Sequence, residues 1–224
     1  MISETDRTEA FSDGVFAIAI TLLILEIRIP DIASGGAGPG LWTSLAGLWP
    51  SYLAFALSFF TILIMWINHH ELMRLVRRVD YPFFFANGLV LLTVTFVPFP
   101  TAVLARHLAT PEAKAAVAFY CGTFFLISLT WRILFLTIVR RGLLEPEVTG
   151  PTIERIGRAY LFGPVVYAVS TGTAFVQPFV GLALNTSLWI LWIRLCYRST
   201  HREAEIVNAA RARARMAPDR VEAV

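Results

Sequence analysis

Two short polar strings stand at the edges of long apolar runs, and their residue types could do chemistry. The first is Arg7-Thr8-Glu9-Ala10-Phe11-Ser12-Asp13-Gly14, which leads into an apolar run. The second is Trp66-Ile67-Asn68-His69-His70-Glu71, which closes another. A charged side chain at the centre of a bilayer helix costs about 3 kcal/mol or more, so such residues pair with one another or serve a function. Capping by Ser12 or Asp13 would explain one of them at a helix start. It does not explain a carboxylate set beside Gly14, just inside an apolar run. His69, His70 and Glu71 are metal-ligand types, but adjacent residues on a helix point about 100° apart and cannot readily share an ion. The preferred reading is a structural polar network of Asp13, Trp66, Asn68, His69 and His70, with no metal. If the two runs are antiparallel helices, Asp13 lies at the depth of Asn68, His69 and His70 and is expected to pair with one of them. A water-facing interfacial cluster is the alternative. Arg132, within SLTWRILF, calls for an acid or carbonyl partner and reads as an inter-helix anchor. Glu26 and Arg28 border the far end of the first run, where Glu26 could gather cations. Cys121 and Cys196 both lie in apolar segments and read as plain thiols, without a disulfide framework.

The first apolar run also carries a helical stripe. Ile18, Leu22, Leu25 and Ile29 follow i, i+4, i+7 and i+11, and Phe11 and Val15 extend it toward the N-terminus. Thr21 flanks it, and Asp13 lies about 140° from Ile18 at 100° per residue. By itself such a stripe does no more than pack on neighbouring helices.

The elements that must carry these residues follow from composition. Of 224 residues, 56% are hydrophobic and only 16% charged, with a mean hydropathy of +0.63. A soluble domain is about 25% charged, so both a soluble globule and a disordered chain are excluded. Six apolar segments appear, at about Phe11–Ile29, Thr43–Asn68, Pro82–Leu104, Ala115–Val139, Ala159–Val176 and Phe179–Tyr197. The fifth is the weakest, holding Gly163, Pro164 and Gly172. Each run is continuously apolar rather than alternating, which favours helices over barrel strands. The expected class is an all-α integral membrane protein of six transmembrane helices. A channel domain over residues 1–199 is followed by an Ala/Arg-rich tail over 200–224. The acidic start (Glu4, Asp6, Glu9) and the absence of a small-residue cleavage site mark the first run as a retained span. With the N-terminus inside, the inner segments hold fourteen Arg, and the outer ones hold Arg28, Arg106 and Lys114. That bias places both termini in the cytoplasm. The basic residues are scattered in short loops and the tail, which argues against nucleic acid.

Arg7, Phe11, Ser12, Asp13 and Gly14, followed by Val15-Phe16-Ala17-Ile18-Ala19-Ile20-Thr21-Leu22-Leu23, resemble the signature of the transmembrane protein 175 family, the endosomal/lysosomal potassium channels, in its prokaryotic branch. The Trp66–His70 string and the six-span layout are similar as well. The resemblance implies a homotetramer in the cell membrane of a prokaryote, with the first helix of each subunit lining a central pore. It implies a potassium-permeable cation channel, not an enzyme, with monovalent cations as the permeant species and no cofactor. It also maps a hydrophobic constriction onto Ile18, Leu22 and Leu25, and ion coordination or selectivity onto Thr21. The TVGYG carbonyl filter of other potassium channels is missing from the chain.

Two rival classes remain at this level. A secondary transporter of a small cation or solute predicts inverted repeats and broken helices, and no halves of the sequence echo each other. A membrane enzyme or scaffold using His69, His70 and Glu71 predicts a chelator-sensitive activity.

Overall fold

The structure, a computed structural model, describes residues 4–30 and 40–194. Tyr197, Cys196 and the tail therefore lie outside the described residues. The elements are α1 (Glu4–Leu22), a 3-10 turn (Leu23–Glu26), α2 (Leu41–Gly47), α3 (Trp49–Arg74), α4 (Tyr81–Phe96), α5 (Pro98–His107), α6 (Ala113–Arg140) and α7 (Gly150–Ala174), followed by α8 over residues 178–194. Among the described residues the chain is helical throughout, with one isolated antiparallel bridge between Val76 and Leu144.

Four helical stretches are long and apolar enough to cross a membrane: Glu4–Glu26, Trp49–Arg74, Tyr81–His107 and Ala113–Arg140. Two boundaries differ from the sequence reading for reasons visible in the chain. The second apolar run breaks at Leu48, so α2 separates from α3, which begins with Pro50 in its first turn. The third breaks at Val97, because Pro98 and Pro100 supply no amide hydrogens to the preceding turn. A third difference is larger. The fifth apolar segment, expected from about Ala159, lies in a helix that already begins at Gly150, with Pro151 in the first turn. Arg155 and Arg158 thus belong to α7, whose Pro164 is buried inside the helix.

The helix ends are specified locally. Asp80 caps α4, its carboxylate accepting the Phe83 amide at 3.0 Å. Gly142, at φ +62°, closes α6 by letting Leu143 donate back to the Ile138 carbonyl at 3.0 Å. The chain then runs beside the end of α3: Arg77 donates to the Leu143 carbonyl and Glu145 to that of Leu75, both at 2.9 Å. An Arg141–Asp80 ion pair at 2.9 Å adds to this clasp between two distant loops.

α1 lies in the groove between α3 and α4, while α6 pairs with α7 along its length. The core between them holds Phe16, Leu23, Ile62, Phe83, Tyr120, Phe124 and Ile138, all nearly or fully inaccessible. Lipid is as apolar as these side chains, so helices in a membrane are joined by close packing and by polar contacts rather than by the hydrophobic effect. One such contact set lies away from the first helix: Ser58 shares hydrogen bonds with Thr101 (2.6 Å) and Tyr120 (3.1 Å), joining α3, α5 and α6. The other stands behind α1.

Candidate functional site

α1 has two faces of opposite character. Thr8, Ser12, Phe16, Ala19 and Leu23 point into the bundle. Ile18, Leu22 and Leu25 stand on the opposite side, 58%, 43% and 68% exposed, and Phe11 and Thr21 are exposed with them. The chain's own bundle leaves this face uncovered. Thr21 turns its hydroxyl back to the Ile18 carbonyl at 2.9 Å, so its oxygen stays close to the helix surface.

The stripe does not run on to Ile29 as the sequence periodicity predicts. The α-helix ends at Leu22, the next turn is 3-10, and Ile27 is extended (φ −86°, ψ 98°). Side chains three apart eclipse in a 3-10 turn. Leu25 therefore stacks over Leu22 about 6 Å further along, at about 2 Å per residue. Ile29 lies beyond the turn and shares no helix face with them.

The signature residues divide between the two faces, because each step along a helix turns about 100°. Phe11 faces out, and with Arg7 it lines an open cleft that also holds Phe84 of α4. Gly14 is exposed, and a Cβ added there would meet nothing within 4 Å, so the packing within this chain does not demand a glycine. Ser12 is fully buried. It donates to the Thr8 carbonyl at 2.9 Å and accepts from Asn87 Nδ2 at 3.0 Å. Asn87 Oδ1 in turn meets His69 Nε2 at 2.8 Å. His69 is completely buried, its ring held against Phe16 (5.4 Å) and edge-on to Trp131 (6.0 Å). Its Nδ1 is buried without a partner among the described residues.

The partners of Asp13 differ from those expected. Asp13 accepts from Trp66 Nε1 at 2.9 Å, rather than from Asn68, His69 or His70. Asn68 is occupied elsewhere, donating to the Ile64 carbonyl at 2.8 Å. His70 stacks on Trp66 and meets Glu9 at 2.6 Å, half-exposed, and Glu71 pairs with Arg74 at 3.5 Å. Three consecutive ligand-type residues thus serve three different helices or faces. The central connector of the network, Asn87 on α4, is a residue the sequence reading missed. Its signal was present, an amide within the apolar run FFFANGLVLL, but nothing local tied it to Ser12, which lies 75 residues away.

Two other expectations fall on described residues. Arg132 is half-buried on α6 and makes no ion pair among the described residues. Glu26 and Arg28 line a cleft at the far end of α1 together with Arg106 and His107. Asp80, outside the spans, is the clearest electrostatic feature of the loops. Partial burial alone would raise its pKa, but the Arg141 hydrogen bond, the Phe83 amide and the charges of Arg141 and Arg78 outweigh that and hold it below its ordinary value.

This arrangement braces one face of α1 by polar contacts to α3 and α4 and presents the other face, apolar and hydroxyl-bearing, to whatever lies outside the subunit. Comparison with known proteins gives the same segment a family. The profile described as endosomal/lysosomal potassium channel TMEM175 matches residues 7–98. A potassium channel of Chamaesiphon minutus is 46% identical over 183 residues, covering 81% of this chain and 90% of its own. One of Streptomyces collinus is 42% identical over 186 residues, covering 82% and 89%. The crystal structure of a lysosomal potassium-selective channel TMEM175 homolog from Chamaesiphon minutus superposes with a TM-score of 0.75 at 43% identity, over 86% of this chain and 98% of that one. On the Arg7–Gly14 string, the fold that positions it and relatives matched over nearly their full length, the chain belongs to the TMEM175 family.

Proposed function

We propose that this chain is one subunit of a homotetrameric, potassium-permeable channel through which ions move passively across the cell membrane. In this reading α1 lines the pore. Six helices span the bilayer, α7 and α8 being the fifth and sixth, and both termini are cytoplasmic. The observation that carries the reading is the uncovered α1 face, on which Ile18, Leu22, Leu25 and Thr21 project away from the subunit's own bundle. A face of that kind could meet lipid. The names of the relatives, potassium channels of closely similar length and sequence, favour an ion path instead.

Four copies of Ile18 would form a ring about 10 Å from the Phe11 level, at 1.5 Å rise per residue. Leu22 and Leu25 would narrow the path beyond it. Rings of large apolar side chains gate by dewetting, and opening requires α1 to rotate or spread. Potassium holds its hydration shell more loosely than sodium does and would pass partly dehydrated. Thr21 offers a hydroxyl oxygen beside the ring. The network of Ser12, Asp13, Trp66, His69 and Asn87 braces α1 from behind.

The test is flux into proteoliposomes under opposed potassium and sodium gradients. Ile18→Asn wets the ring and is expected to raise flux or reduce preference for potassium. Wild-type flux and preference in that variant would remove Ile18 from the constriction. Equal potassium and sodium flux through the wild-type protein would remove the selectivity. A secondary transporter would instead show saturable, coupled uptake.

A further inference from the structure

We propose that the cleft at the Glu26 end of α1 binds the headgroup of an anionic phospholipid. The cleft has a volume of about 520 Å³ and brings together the end of α1 (Leu22, with Glu26 of the 3-10 turn and Arg28 beyond it), the last residues of α4 (Thr95 and Phe96) and one face of α5. Leu22 contributes the edge of the cleft nearest the exposed α1 face. Its polar part holds Arg28, Arg106, His107 and Glu26, contributed by segments about 80 residues apart in sequence. Among the described residues these four form no ion pair with one another. The two guanidinium groups face one carboxylate, an excess of one positive charge, and a headgroup of net charge −1 matches it. Arginine binds the phosphodiester through paired N–H donors. The Glu26 carboxylate is an acceptor for the hydroxyls of a glycerol headgroup.

The apolar part of the cleft selects a lipid over a soluble anion. Phe96 and Phe99 line it, 47% and 55% exposed, with ring centroids 5.5 Å apart, and Phe99 continues onto Phe119 at 5.7 Å. An aromatic shelf beside a pair of arginines offers an acyl chain contact that inorganic phosphate cannot use. Arg106 and His107 occupy the last turn of α5, where the helix carbonyls favour cations and hold them at this level.

The experiment is native mass spectrometry of the full-length protein in detergent, titrated with phosphatidylglycerol, phosphatidylcholine or inorganic phosphate. Phosphatidylglycerol is expected to bind at least about tenfold more tightly than phosphatidylcholine. Removing both arginines (Arg28→Gln with Arg106→Gln) is expected to weaken it about thirtyfold and to leave phosphatidylcholine unchanged. Arg77→Gln with Arg78→Gln, at the other end of the bundle, serves as control and is expected to change the affinity less than about threefold. Phosphatidylglycerol affinity unaltered by the cleft variant overturns the proposal. So does displacement of the lipid by millimolar phosphate, which would make this a soluble-anion site. A change in oligomer mass would make the cleft a subunit contact and overturn it equally. Should the double variant not fold, a photoreactive phosphatidylglycerol on the wild-type protein decides: labelling of residues 95–107 supports the site, and labelling confined elsewhere refutes it. Binding is read without ion flux, so its failure is separate from failure of the channel reading.

Discussion

Asn87 is the residue on which the bracing of α1 turns, and its removal has a calculable cost. Its amide donates to Ser12 at 3.0 Å and its carbonyl oxygen meets His69 at 2.8 Å, all three side chains being buried. Interhelical hydrogen bonds between membrane helices average about 0.6 kcal/mol and reach about 1.7. Asn87→Leu removes two, and it strips His69 of its Nε2 partner when Nδ1 already lacks one. A buried polar group left unpaired costs about 1–3 kcal/mol. The expected destabilisation is therefore about 2–4 kcal/mol. For a protein of this size 1 kcal/mol moves the melting midpoint by about 2–4 °C, so the shift should be about 4–16 °C, measured by tryptophan fluorescence in detergent. The discriminating measurement is a cycle with His69→Phe, which keeps a ring between Phe16 and Trp131 but has no nitrogen to orphan. In the double variant the unpaired-group penalty disappears, giving a coupling energy of about 1–2 kcal/mol. Additivity within about 0.5 kcal/mol, the behaviour of distant independent sites, would refute the Asn87–His69 contact.

Other outcomes follow from the same geometry. Gly181→Ala places a Cβ 2.9 Å from the Cα, Cβ and N of Ala174, most of it backbone that cannot swing aside. It should destabilise the α7–α8 corner by about 1–3 kcal/mol, seen as a lower melting midpoint. Gly14→Ala, by contrast, meets nothing within 4 Å in its own subunit and should leave the monomer fold intact by circular dichroism. If the protein assembles as the proposed tetramer, loss of that assembly on size exclusion in this variant would mark Gly14 as a contact between subunits. Asp80 has a lowered pKa in the folded state, so its contribution to stability is present above its ordinary value of 3.8 and fades as pH falls through the lowered one. Unfolding scans carried from pH 6 to below the ordinary value of 3.8 should therefore show a smaller acid-induced loss for Asp80→Asn than for wild type, in which the stabilisation from the Arg141 pair is lost only below that value.

Much of the fold was legible because a bilayer tolerates few compositions. The four stretches long and apolar enough to span are runs that hydropathy alone marks out. The start of α7 was not legible, because helix formation at Gly150–Arg158 depends on packing against α6 rather than on an apolar run. The break in the first span after Leu22 was also hidden. A 3-10 turn keeps the same residue types as an α-helix and changes only their angular spacing. At the site, residue type pointed to Ser12, Asp13, Trp66 and His69 but could not assign partners. Asp13 meets Trp66 and not a histidine, and Asn87 joins Ser12 to His69 across helices distant in sequence.

The amino-acid sequence by itself determined the solvent of this protein, the helical class and the two polar strings that interrupt the apolar runs. Those properties are local: transfer free energy and helix periodicity are summed over neighbouring residues. Tertiary structure decided which face of α1 is buried and which is left bare, because burial depends on where α3 and α4 lie. It decided that Arg28 and Arg106 share one cleft and that His69, His70 and Glu71 turn to separate partners. Hydrogen bonds and charge pairs reach only a few ångströms, so a pairing is settled only once the chain has brought distant segments together.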